Sequence, residues 1–119
     1  MSRRTDRLES VLRNELSFLI SRRLRDPRVA LASVSAVQIS RDLRHARVAV
    51  SVLGDDEDER LATMEGLAAA APALRRMLAD QIDLRVVPEL RFELDRGAEH
   101  SMRIAELLEK DHARDDDPT

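Results

Sequence analysis

Apolar residues near the start of the chain recur at three- and four-residue steps: Leu8, Val11, Leu12, Leu16, Leu19, Ile20 and Leu24. That spacing gathers them on one side of a helix and predicts an amphipathic α-helix, capped by Thr5 or Asp6. Pro27 disfavours helical geometry in the residue before it, so the helix is expected to stop by Asp26. Its last turns carry Arg22, Arg23 and Arg25, cations at the negative end of the helix dipole. The period then changes. Residues 29–39 are rich in Val and Ser without a helical pattern, and a strand is expected over residues 33–40. A polar connection, Ser40-Arg41-Asp42-Leu43-Arg44-His45, leads into Arg47-Val48-Ala49-Val50-Ser51-Val52, which alternates strictly with its valines on one face. Two strands joined by a short polar turn predict an antiparallel hairpin.

Gly54 and the acidic run Asp55–Glu59 end the hairpin and open a solvated acidic loop ahead of a second helix, whose stripe is Met64, Leu67, Ala68, Ala71, Leu74, Leu78 and Ile82. Pro72 falls inside it and predicts a kink or two abutting helices, because proline removes one helical hydrogen bond and clashes with the preceding turn. A break there is expected to expose fresh amide groups and to set Arg75 and Arg76 beside them as an anion site. Leu90-Arg91-Phe92-Glu93-Leu94-Asp95 alternates again and predicts a third strand, with Pro88 at its mouth. A short helix is expected from Ser101, with Ile104, Leu107 and Leu108 as its apolar face. Residues 111–119 have no apolar periodicity and read as a frayed acidic tail on a domain of residues 1–110. The sum is an α+β domain, one three-stranded sheet with helices on one face.

Composition narrows the function. The 119 residues suffice for one domain, and the absence of cysteine excludes disulfide and thiolate chemistry and fits a reducing cytoplasm. The start runs into an amphipathic pattern rather than an apolar block, so no secretory signal is expected. No stretch approaches the roughly 20 apolar residues of a membrane span. With only Phe18 and Phe92 as aromatic residues, stacking platforms for RNA bases are nearly unavailable. The net charge of −3 conceals a division: residues 1–53 hold eleven arginines against five acids, a balance of +6, whereas residues 54–66 carry −5. A basic half of this kind steers polyanions even when the whole chain is acidic.

Three segments carry a resemblance. Asp26-Pro27-Arg28, the run from Ser40 to Val48, and Leu84-Arg85-Val86-Val87-Pro88-Glu89-Leu90-Arg91-Phe92 are similar, in order, to signature segments of the ribosome-binding factor A family, as is the closing run from Met102 to Leu108. The resemblance implies a type II KH-like fold, binding to the free small (30S) ribosomal subunit and its 16S rRNA, and a role in late maturation of that RNA. It further implies a cytoplasmic protein with no catalytic activity, no cofactor and no small-molecule substrate. Ordinary KH domains clamp the nucleic-acid backbone with a Gly-x-x-Gly loop; Gly54, Gly66 and Gly97 do not form one. Where the family has an Ala-x-Gly kink, Ala70, Ala71 and Pro72 stand here, a departure in which proline replaces glycine.

The candidate RNA-binding residues are arginines at helix ends and turns, where cations can meet a curved phosphate backbone. They are Arg22, Arg23, Arg25 and Arg28 at the end of the first helix, Arg41, Arg44, His45 and Arg47 around the hairpin turn, Arg75 and Arg76 after Pro72, and Arg85 before the third strand. The plain alternative for each is a solvated surface charge. His100 and His112 have no paired ligand at helical spacing, and residues 55–59 lack the alternating ligands and internal glycine of a calcium loop. No serine sits in a nucleophile elbow. Two other classes stay open: a protein-interaction adaptor working through the acidic loop and tail, and a generic KH-type RNA reader. No apolar stripe demands a dimer, so a monomer is expected.

Overall fold

The computed structural model describes residues 3–97. The helix expected from Ser101 and the segment 111–119 lie outside the described residues. Helix α1 spans Arg3–Arg22. Leu12, Leu16, Leu19 and Ile20 are buried, with Leu8 and Leu24 packed partly against them. Val11 departs from the expected stripe: it stands about 100° round the helix from Leu12 and is 39 % exposed. Arg23 and Leu24 both donate to the Leu19 carbonyl, at 2.8 and 3.2 Å, and close the helix. Asp26 is extended, as a residue before proline must be, and Pro27 opens a single 3-10 turn, Pro27–Val29.

Strands β1 (Ala32–Ile39) and β2 (His45–Val52) pair antiparallel. The register shifts between Val34 and Ala36, leaving Ser35 as an extra residue. This bulge explains why β1 alternates less cleanly than β2: it lets Ala32 and Val34 before it, and Val37 and Ile39 after it, all contribute to the core. Ala46, Val48 and Val50 of β2 are fully buried. Strand β3 (Glu89–Leu94) lies on the other side of β2 and runs parallel to it, so the sheet is mixed, in the order β1-β2-β3. A parallel neighbour needs a crossover, and the second helix supplies it.

Helix α2 spans Glu57–Gln81, so Glu57, Asp58 and Glu59 of the expected acidic loop form its first turn instead, where acids suit the helix dipole. Its cap is Asp56, whose carboxylate accepts from the Asp58 and Glu59 N–H groups, and acids fill its first turn. Pro72 does not divide it into two abutting helices; the helix continues across the proline. An interior proline costs about 3 kcal/mol, while a fully buried leucine contributes roughly 1.5–3 kcal/mol, and Leu67, Leu74 and Leu78 on the two sides of Pro72 are all fully buried. Packing of both halves on one core therefore outweighs the lost bond. Pro72 and Ala68, whose carbonyl loses its partner, are both exposed, so water can reach that oxygen. The inward stripes of α1 and α2 and one face of the sheet form a single buried cluster, and the other sheet face presents exposed Gln38, Arg47 and Arg91.

Candidate nucleic-acid interface

At one end of the molecule the first turns of α1, the β1–β2 turn and the connection from α2 to β3 enclose a groove of about 770 Å³. Arg7, Arg41, Arg44 and Arg85 line it, facing Asp42 and Asp83, over apolar side chains that include Leu8, Val11, Leu43 and Val86. The turn is held by its own polar atoms. Ser40 Oγ donates to Asp42 Oδ1 at 2.7 Å and accepts from the His45 N–H at 3.0 Å, and Asp42 Oδ1 also accepts from the Arg44 N–H. Those bonds, the Ser40 hydroxyl first and the Arg44 amide next, hold the Asp42 carboxyl below its ordinary value. Leu43 takes a positive φ of 62°, which for a branched side chain needs such a network around it. Arg41 and Arg44 are left exposed on either side. The opposite wall is tied to the same turn, since Glu89 N–H donates to the Arg44 carbonyl at 2.8 Å.

None of the four groove guanidinium groups makes an ion pair or hydrogen bond among the described residues. Of the eleven candidates, the structure brings Arg41, Arg44 and Arg85 together here. Arg7 joins them and was missed. Nothing in the linear order sets the first turn of α1 beside residues 41–44 and 82–86; only the folded packing does.

The other candidates divide by what holds them. Arg22, Arg23 and Arg25 are exposed at the far end of α1, about 22 Å along the axis from Arg7 at 1.5 Å per residue. Arg28 grips Asp26 with two nitrogens, Nε at 3.1 and 3.0 Å and Nη2 at 2.7 Å, which lowers the Asp26 pKa and raises that of Arg28. This Asp-Pro-Arg turn docks on α2. Thr63 Oγ1 lies 2.7 Å from the Arg28 carbonyl, and a Cβ on Gly66 would stand 3.0 Å from Val29 Cγ1. Arg47 is paired with Glu93 across the exposed sheet face, at 3.1 and 2.9 Å, a bond that lowers the Glu93 pKa. His45 Nδ1 lies 3.9 Å from a Glu89 carboxylate oxygen. Arg75 donates to the carbonyls of Pro88 and Val87, at 3.2 and 3.0 Å, and so braces the connection to β3. With α2 unbroken there is no second helix start for Arg75 and Arg76 to flank; Arg76 is exposed without a partner among the described residues.

The acidic start of α2 is built quite differently. Glu57 takes two bonds from Arg96, at 2.9 and 2.8 Å, and one from Arg60 at 2.7 Å, which hold its carboxyl down from 4.5 to about 2. Arg60 is itself buried and donates to the Gly54 carbonyl at 2.7 Å. No helix among the described residues is long and apolar enough to cross a membrane.

A mixed three-stranded sheet backed on one face by two helices, without a Gly-x-x-Gly loop, defines a KH-like α+β domain. The chain belongs to the ribosome-binding factor A family, whose model matches residues 4–108. It is 46 % identical over 107 residues to ribosome-binding factor A of Thermomicrobium roseum, covering 90 % of this chain and 82 % of that protein. The crystal structure of ribosome-binding factor A from Thermus thermophilus superposes with a TM-score of 0.70 at 30 % identity, over 78 % of this chain and 97 % of that one. Coordinates of the Thermus thermophilus factor fitted into a cryo-EM map of its complex with the 30S subunit match with a TM-score of 0.64 at 31 % identity, over 76 % and 94 %.

Proposed function

We propose that this chain is a non-catalytic assembly factor that binds the free small ribosomal subunit through its 16S rRNA and assists late maturation of that RNA. One observation carries the reading: in a member of this family, four arginines that make no hydrogen bond or ion pair among the described residues converge on one groove. A guanidinium bound to a carboxylate has already spent its fork of donors, whereas these four remain available for phosphate. The Thermus thermophilus relative fitted into a 30S complex supports the same partner. Arg41, Arg44 and Arg85, with Arg7 added, are the principal contacts; Arg22, Arg23, Arg25 and Arg76 are secondary ones. Arg28, Arg47 and Arg75 act on the fold rather than on RNA, and His45 stands at the groove's edge. The binding unit is residues 1–110, and the acidic segment 111–119 takes no part in the contact. The protein works as a cytoplasmic monomer without a cofactor.

Co-sedimentation of the purified chain with free small subunits, large subunits and whole ribosomes tests this. Pelleting with small subunits alone is the expected result. Equal pelleting with large subunits, or none with either, contradicts it.

A further inference from the structure

Helix α1 buries Leu12, Leu16, Leu19 and Ile20, and the flank about 135° round from that face carries a stripe of Arg7, Val11, Phe18 and Arg22. At 100° per residue these four fall within about 60° of one another, along about 22 Å of helix. Phe18 is 48 % exposed and packs outside the core, whereas Phe92, the only other aromatic residue of the chain, packs against it. Half of the chain's aromatic content is thus held toward solvent, between two arginines. Of the carboxylates of this helix, Glu9 accepts from the Ile39 N–H of β1 at 2.8 Å. Asp6 stands about 100° round from Arg7, and half-buried Glu15 borders the stripe about 20° beyond Arg22. Arg7 and Val11 also line the groove, so the stripe continues that surface.

We infer that Phe18 is a stacking platform for an unpaired RNA base with an adjacent phosphate on Arg22, one helical turn away, while the strand runs on over Val11 toward the Arg7 end of the groove. This rests on the RNA-binding reading above and extends it by a second contact of a different kind. A ring one helical turn from a cation suits a strand that alternates flat bases with phosphates, and stacking tolerates any base because each has a π-face. A protein surface occupying the same stripe would need an apolar socket bracketed by carboxylates.

The test uses the full chain and free small subunits, comparing Phe18→Leu, Phe18→Trp and Arg22→Ala with the unaltered protein. Phe18→Leu keeps an apolar side chain at a site outside the core, so its melting temperature stays unchanged. Its affinity falls by about 5- to 100-fold, the range of one lost stack, and Phe18→Trp restores it. The salt dependence of Phe18→Leu keeps its slope, because a stack releases no counterions, while Arg22→Ala flattens the slope by about 0.7–0.9. A photo-crosslinking phenylalanine analogue at position 18 yields adducts with 16S rRNA. Unchanged affinity of Phe18→Leu, beside a loss on removing Arg41, Arg44 and Arg85, overturns the stacking contact and leaves the RNA-binding reading standing. Crosslinks to ribosomal protein without RNA also overturn it. Failure of the unaltered chain to bind small subunits removes both readings together.

Discussion

The groove and the segments packed around the first half of α2 both carry arginines, yet their charges are used in opposite ways. Beside Thr63 and Gly66 of α2, Arg28 is clamped by Asp26, and at the helix start Arg60 and Arg96 share Glu57. In the groove, Arg7, Arg41, Arg44 and Arg85 have no such partner among the described residues, and Asp42 is occupied by the turn's own hydroxyl and amide. The difference shows that an arginine's position along the chain says little until its partner is known. A paired guanidinium holds segments together; an unpaired one at a concave surface is ready for a phosphate.

The largest expected effect separates the two regions directly. Arg41→Ala, Arg44→Ala and Arg85→Ala combined should lower small-subunit affinity on the order of a hundredfold near 0.1 M salt. All three side chains are exposed, so the melting temperature should hardly move. Titration by sedimentation and a thermal melt check both halves; a collapse of the melt with normal binding by the folded remainder would make the groove structural.

Gly66→Val should act in reverse. The added carbons enter the contact where Val29 Cγ1 would already stand 3.0 Å from a Cβ. Overpacking of this kind costs about 1–3 kcal/mol, read as a lower denaturant midpoint, while the folded fraction keeps its affinity. Arg75→Ala should remove two hydrogen bonds to the β3 connection and cost about 1 kcal/mol, with a smaller loss of binding than the groove triple.

The smallest effect is acidic. Glu57, Asp26 and Glu93 have pKa values lowered by their arginine partners in the folded chain, so the unfolded chain binds protons first as pH falls. Their contribution is complete above the unfolded values, 4.5 for the two glutamates and 3.8 for Asp26, and is lost on the way down, for Glu57 until about 2. The melting temperature should be flat from pH 7 to 5 and decline below that. Glu57→Gln should flatten the decline, modestly because these pairs are exposed to solvent.

Much of the fold was legible because its signals are periodic. The stripes of α1 and α2 and the strict alternation in β2 and β3 each name a buried face. Ser35 was not, since a bulge shows in sequence only as a weakened alternation. The unbroken run of α2 through Pro72 was not either, because leucine burial on both sides of the proline decides it. In the site, the turn residues Arg41 and Arg44 and the pre-strand Arg85 could be read as exposed cations. The pairing of Arg47 with Glu93, 46 residues away, and the bracing of Pro88 by Arg75, 13 residues away, depend on tertiary register. Arg7 was missed for the same reason.

The most direct test sets the unpaired arginines against the paired ones in a single quantity, the slope of log K against log salt for small-subunit binding. Removing Arg41, Arg44 and Arg85 together should flatten that slope by about 2–3, at 0.7–0.9 for each lost phosphate contact. Removing Arg28 and Arg47, whose guanidiniums already hold carboxylates, should leave it within about 0.5 of the original value, below the change from one contact. Equal flattening per arginine in the two variants would contradict the account, because it would mean that partnering inside the protein does not decide which arginines meet RNA.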